Sequence, residues 1–217
     1  MAARNSRFAG RGGTAIAAHR WGGIAMKDRV LEGLRVGILV TDGFEEVELT
    51  DPRGVLDEAG AHTVLIAPNA GTVRAMKHDE RAREFKVDLT LDNAHPDEFD
   101  AMLLPGGVMN ADKLRMDERA RDFVRRFDEA RKPIAAICHA PWLLVSAGVT
   151  KLRRLTSYHT LQDDVRNAGG LWEDREVVVD ANLVTSRSPK DLPAFDREML
   201  ALFAKQRASA EEHARTT

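Results

Sequence analysis

The sequence predicts an α/β fold, a mostly parallel sheet with helices on both faces, and three observations carry that expectation. Short apolar or β-branched runs alternate with stretches of helical periodicity along most of the chain. Leu34–Thr41, the periodic stretch Val47–Ala59 and Thr63–Ala67 follow one another as a complete βαβ unit. Two later apolar runs stop abruptly at tight turns, Pro105-Gly106-Gly107 and Cys138-His139-Ala140-Pro141, as strands do where an open α/β sheet presents its ligand-binding edge.

Residues 1–32 read as a disordered basic leader, because Arg4, Arg7, Arg11, Arg20 and Lys27 face no acidic residue before Asp28, glycines are scattered among them and no apolar periodicity develops. Met26 is a natural alternative beginning, and Gly10-Arg11-Gly12-Gly13 lacks the Lys-Ser/Thr ending of a phosphate loop. The domain is expected over residues 33–206. Its first strand is Leu34–Thr41, closed by the turn pair Asp42-Gly43, and its first helix carries Val47, Leu49, Val55, Leu56 and Ala59 up to Gly60. Thr63–Ala67 is the second strand. Phe85–Leu91 alternates like a half-exposed strand, and Ala101–Leu104 is a short buried one. Asp117–Ala130 places Phe123, Val124 and Phe127 on one face and charges on the other, which predicts a surface helix leading into the strand Pro133–Ile137. Helices over Trp142–Ala147 and Leu161–Ala168, strands at Val177–Asp180 and Leu183–Ser186, and a helix over Asp191–Gln206 complete the domain, leaving residues 207–217 as a polar, fraying tail.

Composition narrows the function. The 217 residues are 43% hydrophobic and 30% charged with a net charge of -2, so nothing electrostatic favours nucleic acid or an anionic membrane as a partner. One cysteine cannot form an intrachain disulfide, and no apolar stretch approaches the length of a membrane span or opens the chain as a secretory signal. The expected setting is therefore the reducing cytoplasm.

That single cysteine, Cys138, is the leading candidate for chemistry. A free cysteine is often an inert buried hydrophobe. Here it stands at a strand end, beside His139 and just before Pro141, a residue suited to a first helical turn. Backbone N–H groups, the helix dipole and a positive His139 are expected to lower the thiol pKa.

Ala136-Ile137-Cys138-His139-Ala140-Pro141 resembles the nucleophile elbow of the PfpI family in the ThiJ/PfpI superfamily. Asp42-Gly43-Phe44-Glu45-Glu46-Val47-Glu48-Leu49 resembles that family's acidic segment, Leu104-Pro105-Gly106-Gly107 its glycine turn, and Thr156-Ser157-Tyr158 and Asp163–Gly169 follow in order, so the likeness runs from about Leu34 to about Phe203. It implies a flavodoxin-like α/β sandwich. It also implies any of several activities found among relatives: intracellular peptidase, cofactor-free glyoxalase, deglycase of glycated side chains, or stress chaperone.

By that resemblance Cys138 is the nucleophile and His139 moves protons. Glu48 shares a proton with the sulfur, and Glu45 is a second carboxyl on the same helix face, whereas Glu46 is expected to point away. Ordinary N-terminal helix acids would look the same without the cysteine motif. The N–H groups of Gly107 and His139 match an oxyanion hole. Asp112 falls where peptidase members carry an acid that reaches a neighbouring subunit's histidine, although its spacer is one residue longer. Tyr158 lines the pocket or packs at a strand end. No cofactor is implied, and the histidines show no metal-ligand spacing. The partners implied are small carbonyl compounds or glycated or unfolded proteins, in a homodimer or hexamer. The competing reading is a non-catalytic protein in which Cys138 senses oxidants or the assembly shields unfolded chains.

Overall fold

The structure, a computed structural model, describes residues 29–216, so most of the expected leader lies outside the described residues. Strand β1 (Arg35–Leu39), the short β2 (Phe44–Glu45), helix α1 (Glu46–Glu58) and strand β3 (His62–Ala67) form the predicted βαβ unit. Strands β4 (Thr72–Lys77) and β5 (Glu80–Lys86) make an antiparallel hairpin, and β6 (Leu89–Thr90) returns to the main sheet. Strand β7 (Ala101–Leu104) precedes helices α2 (Val108–Met116) and α3 (Glu118–Glu129); β8 (Ile134–Ile137) precedes α4 (Pro141–Ala147). After β9 (Arg154–Leu155), α5 (Gln162–Asn167) and β10 (Leu171–Trp172), the hairpin β11 (Val177–Asp180) and β12 (Leu183–Ser186) leads into α6 (Leu192–Thr216).

The main sheet has the order β11-β12-β8-β7-β1-β3-β6, with every pair parallel except β11 with β12. Alternation along each strand divides the core in two. Val36, Ile38, Leu103, Ala135 and Ile137 face one way, onto Leu49 and Leu56 of α1 and Phe195, Met199 and Phe203 of α6. Leu39, Met102, Leu104 and Ala136 face the other way, onto Leu114, Phe123, Phe127, Leu143 and Val165 of α2 to α5. Each fully buried Leu or Phe of this kind contributes about 1.5–3 kcal/mol of burial free energy. Helix α3 starts where the Asp117 carboxylate accepts the Arg119 N–H at 2.9 Å, a cap that stabilises by about 1 kcal/mol.

Two expectations need correction, and one helix goes beyond them. The single strand read over Phe85–Leu91 is two: β5 pairs with β4 in a separate sheet, and Asp88 breaks the run by accepting the Leu65 N–H at 2.8 Å. The Val108–Met116 segment is helical although its periodicity is weak, because its buried positions include a polar residue, Asn110, along with Ala111 and Leu114. The last helix passes Gln206 and continues to Thr216, since the segment is rich in Ala, Glu and Arg and contains no Gly or Pro to stop it. Among the described residues, no helix is long and apolar enough to cross a membrane.

Candidate active site

The carboxyl ends of β1, β7, β8 and β12 lie side by side, and the turns that leave them build one site. Cys138 follows β8 with a φ of 63°, the left-handed region that L residues adopt only under constraint. Two hydrogen bonds impose it. The Cys138 N–H donates to the Ser186 carbonyl at 3.0 Å, and its own carbonyl accepts the Tyr158 N–H at 2.7 Å. The result is an elbow in which consecutive side chains converge: Cys138 Sγ lies 3.2 Å from His139 Nδ1.

Glu48 enters from α1 and is fully buried. Its Oε2 accepts the Gly106 N–H at 2.9 Å, while Oε1 is buried without a hydrogen-bond partner. The carboxyl lies close enough to Cys138 for each group to change the other's proton affinity. Burial raises the Glu48 pKa to about 8, and the charge of Glu45 adds to the rise. Burial also pushes the thiol up, with the Glu48 carboxylate as the next cause, and only the N–H groups of Gly107 and His139 pull it down.

This corrects the expectation of a lowered thiol pKa, because desolvation outweighs a helix N-terminus only seven residues long. The expected imidazolium is corrected too: burial, then the charge of His159, lowers the His139 pKa to about 4, so the ring is neutral at pH 7. A neutral imidazole and a protonated carboxyl flank the sulfur. When the carboxyl keeps its proton its charge no longer opposes the thiolate, so the pair behaves as a coupled two-proton system.

The other predicted residues are distributed as follows. Gly107 has φ 90° and no room for a side chain, since a Cβ there would lie 2.4 Å from the Gly43 carbonyl oxygen. Its N–H points toward the sulfur, as does that of His139. Tyr158 lines the cleft and stacks on the His139 ring at 4.5 Å, holding the imidazole in place. Glu45 lines the cleft, but its carboxylate accepts the His78 N–H at 3.0 Å and so ties down the β4–β5 turn. Glu46 points away, paired with Arg83, as expected. Asp112 is exposed on α2 and is not among the residues lining the cleft.

Sequence reading missed several neighbours. The cleft, about 910 Å³, is also walled by Met76 of β4, by His78 and Asp79 of the hairpin turn and by Arg187 and Lys190 after β12. Arg187 is held by Asp191 at 3.0 and 3.1 Å and by Asp174 at 2.8 Å. The pair Ser186-Arg187, directly after a buried strand on the same sheet edge as Cys138, was the available signal. Among the described residues, no group of three His, Cys, Asp or Glu side chains is placed to hold a metal ion.

A thiol on a left-handed elbow, backed by a buried carboxyl and faced by two backbone N–H groups at the carboxyl edge of a parallel sheet, defines an α/β protein of the nucleophile-elbow type. Residues 34–202 match the DJ-1/PfpI family, and the chain belongs to it. It is 46% identical over 169 residues to the deglycase PfpI of Pyrococcus furiosus, covering 78% of this chain and 99% of that protein. Against the protein/nucleic acid deglycase 2 of Escherichia coli it is 44% identical over 169 residues, covering 77% of this chain and 96% of that one. The crystal structure of Drosophila melanogaster DJ-1beta superposes with a TM-score of 0.72 at 28% identity, covering 83% of this chain and 97% of that one.

Proposed function

We propose that the protein is a cofactor-independent cysteine enzyme that removes dicarbonyl adducts from amines, a deglycase acting in protection against reactive carbonyls. The observation that carries this reading is the cleft: at about 910 Å³ it has ample room for a three-carbon dicarbonyl still attached to an amine, and its lining includes one thiol flanked by two titratable groups. Relatives named as deglycases support the choice.

The chemistry balances without an external oxidant. In an adduct of an amine with methylglyoxal, C1 carries the nitrogen and a hydroxyl, and C2 is a ketone. The amine leaves C1 with a proton from Glu48, while the C1 hydroxyl passes its proton to the neutral His139 imidazole and becomes a carbonyl. Cys138 sulfur adds to that carbonyl, its oxygen held by the Gly107 and His139 N–H groups, and the oxygen takes up the thiol's proton. A base, Glu48 or His139, then carries the C1 proton to C2 through an enediol. C1 is oxidised to a thioester and C2 is reduced to an alcohol within one molecule. Water hydrolyses the thioester to lactate and restores the thiol.

The test is to supply a preformed methylglyoxal adduct of an acetylated lysine and measure free amine and lactate together. Amine release faster than the adduct's own reversal supports the reading. Release capped at the spontaneous rate, with lactate still formed, makes the protein a glyoxalase that consumes free dicarbonyl. Neither product moves the assignment to peptide or amide bonds.

Asp112 enters this proposal only through a second copy of the chain. In an assembly it would approach a neighbour's His139 and orient it. Sedimentation is expected to show a dimer or a larger oligomer, and a monomer at assay concentrations removes Asp112 from the site.

A further inference from the structure

We propose that Asn110 is a positioning residue, one that sets the Pro105-Gly106-Gly107 turn so that consecutive N–H groups meet the Glu48 carboxyl and the Cys138 sulfur. Asn110 is fully buried on α2, where a polar side chain has no packing advantage over an apolar one of similar size. Its amide is nonetheless used almost completely. Oδ1 accepts the Thr41 N–H at 2.7 Å, just beyond β1. Nδ2 donates to the carbonyls of Pro105 and Gly106, both at 2.9 Å, just beyond β7. One side chain thus ties two strand ends to the turn between them and the thiol.

The turn needs such a clamp. Two adjacent glycines carry no side chains to lock them, and glycine is the residue with the most backbone freedom. Yet both are held tightly. A Cβ on Gly106 would sit 2.6 Å from Glu48 Oε2 and 2.7 Å from Cys138 Cβ. The Gly106 N–H reaches Glu48, and the next N–H, of Gly107, faces the sulfur. A turn released by a few tenths of an ångström would misdirect both donors at once. Asn110 touches neither the sulfur nor a substrate, so it acts through the turn.

The inference rests on Cys138 being the reacting group, and its test needs no substrate. Cys138 is the sole thiol in the sequence, so the iodoacetamide alkylation rate against pH reads its reactivity directly. Asn110→Ala is expected to slow alkylation at pH 7.5 by about tenfold and move the pH–rate curve to higher pH, since misplaced donors of this type cost about 10²-fold in catalysis. Asn110→Asp keeps the acceptor for Thr41 but turns an oxygen toward two carbonyls, and its effect is expected to be larger. Where the alanine variant does not fold, Asn110→Ser is read instead. Phe203→Leu, buried on the far side of the sheet, is the control for general loosening. Asn110 variants with a lower Tm but a wild-type pH–rate curve overturn the proposal. A shift matched by Phe203→Leu overturns it too. A wild-type thiol that alkylates normally but turns over no carbonyl rejects the deglycase reading and leaves this one standing.

Discussion

Replacing Cys138 by alanine is expected to abolish lactate formation, a loss of at least about 10³-fold, while the protein stays folded. Every covalent step from the released carbonyl to lactate passes through Sγ. The groups left behind, Glu48, His139 and two N–H donors, can polarise a carbonyl but cannot hold it through the enediol. Serine is no substitute, because a hydroxyl is far less acidic than a thiol and the His139 imidazole, lowered by burial to about 4, is too weak a base to ionise it at pH 7. The fold has little reason to suffer. Alanine adopts the φ of 63° with the same strain as cysteine, and the hydrogen bonds that impose that φ are made by the backbone. Only a small buried volume is lost, so stability should fall by no more than about 1–2 kcal/mol. Product assays and thermal melts on the same samples check both halves. Turnover that survives in the variant removes the thiol from the mechanism. Protection of an unfolded client that survives while turnover is lost identifies a separate holdase activity, and peroxide modification of Cys138 without wild-type turnover of any carbonyl favours the sensor reading.

The sequence made the frame of this site legible because the frame is written in local signals. A buried strand ending at a tight turn is visible in Pro133–Cys138 and again in Ala101–Gly107, and each brings its turn to the same edge of the sheet. Glu48 was reachable through its match to the family's acidic segment, with helical spacing setting it apart from Glu46, and the structure turns the first inward and the second onto Arg83. What stayed hidden depends on tertiary neighbours. Whether His139 is charged is decided by its burial and by His159, and whether the thiol is acidic is decided by its burial and then by a carboxyl ninety residues earlier in the chain. Asn110 was invisible for a related reason. A polar residue at a core position weakens the periodicity that would have revealed α2, and its value lies in bonds to Thr41 and Gly106 that no local pattern encodes. The hairpin that supplies His78 and Asp79 was likewise obscured, since β5 is exposed along most of its length and carries charges where a strand signal would be.

Glu48→Gln should change the pH dependence of stability as well as activity, and its sign follows from the raised carboxyl. In the unfolded chain the group ionises near 4.5, and in the folded protein near 8. Between those values the folded state holds a proton that the unfolded state has released. The contribution is therefore fully present below pH 4.5 and is lost as pH rises through about 8, an order-of-magnitude change of at most about 5 kcal/mol. Glutamine keeps the shape and can still accept the Gly106 N–H, but it has no proton to lose. The variant should thus show a flatter Tm between pH 5 and 8 and be more stable than the wild type at the alkaline end. Flattening will be incomplete, because Asp196 on α6 is raised in the same direction to about 8, by burial and then by the charge of Asp51. Both Asp196 oxygens are buried without partners, and Asp196→Asn should remove its share of the slope, leaving the rise in stability up to about pH 6.5 that His139, lowered to about 4, contributes. Turnover, in contrast, is expected to fall about 10²–10⁴-fold in Glu48→Gln, the usual contribution of a positioned acid or base. A variant with wild-type pH dependence of Tm would mean that Glu48 ionises normally in the folded protein. The buried carboxyl could then no longer serve as the proton reservoir for Cys138.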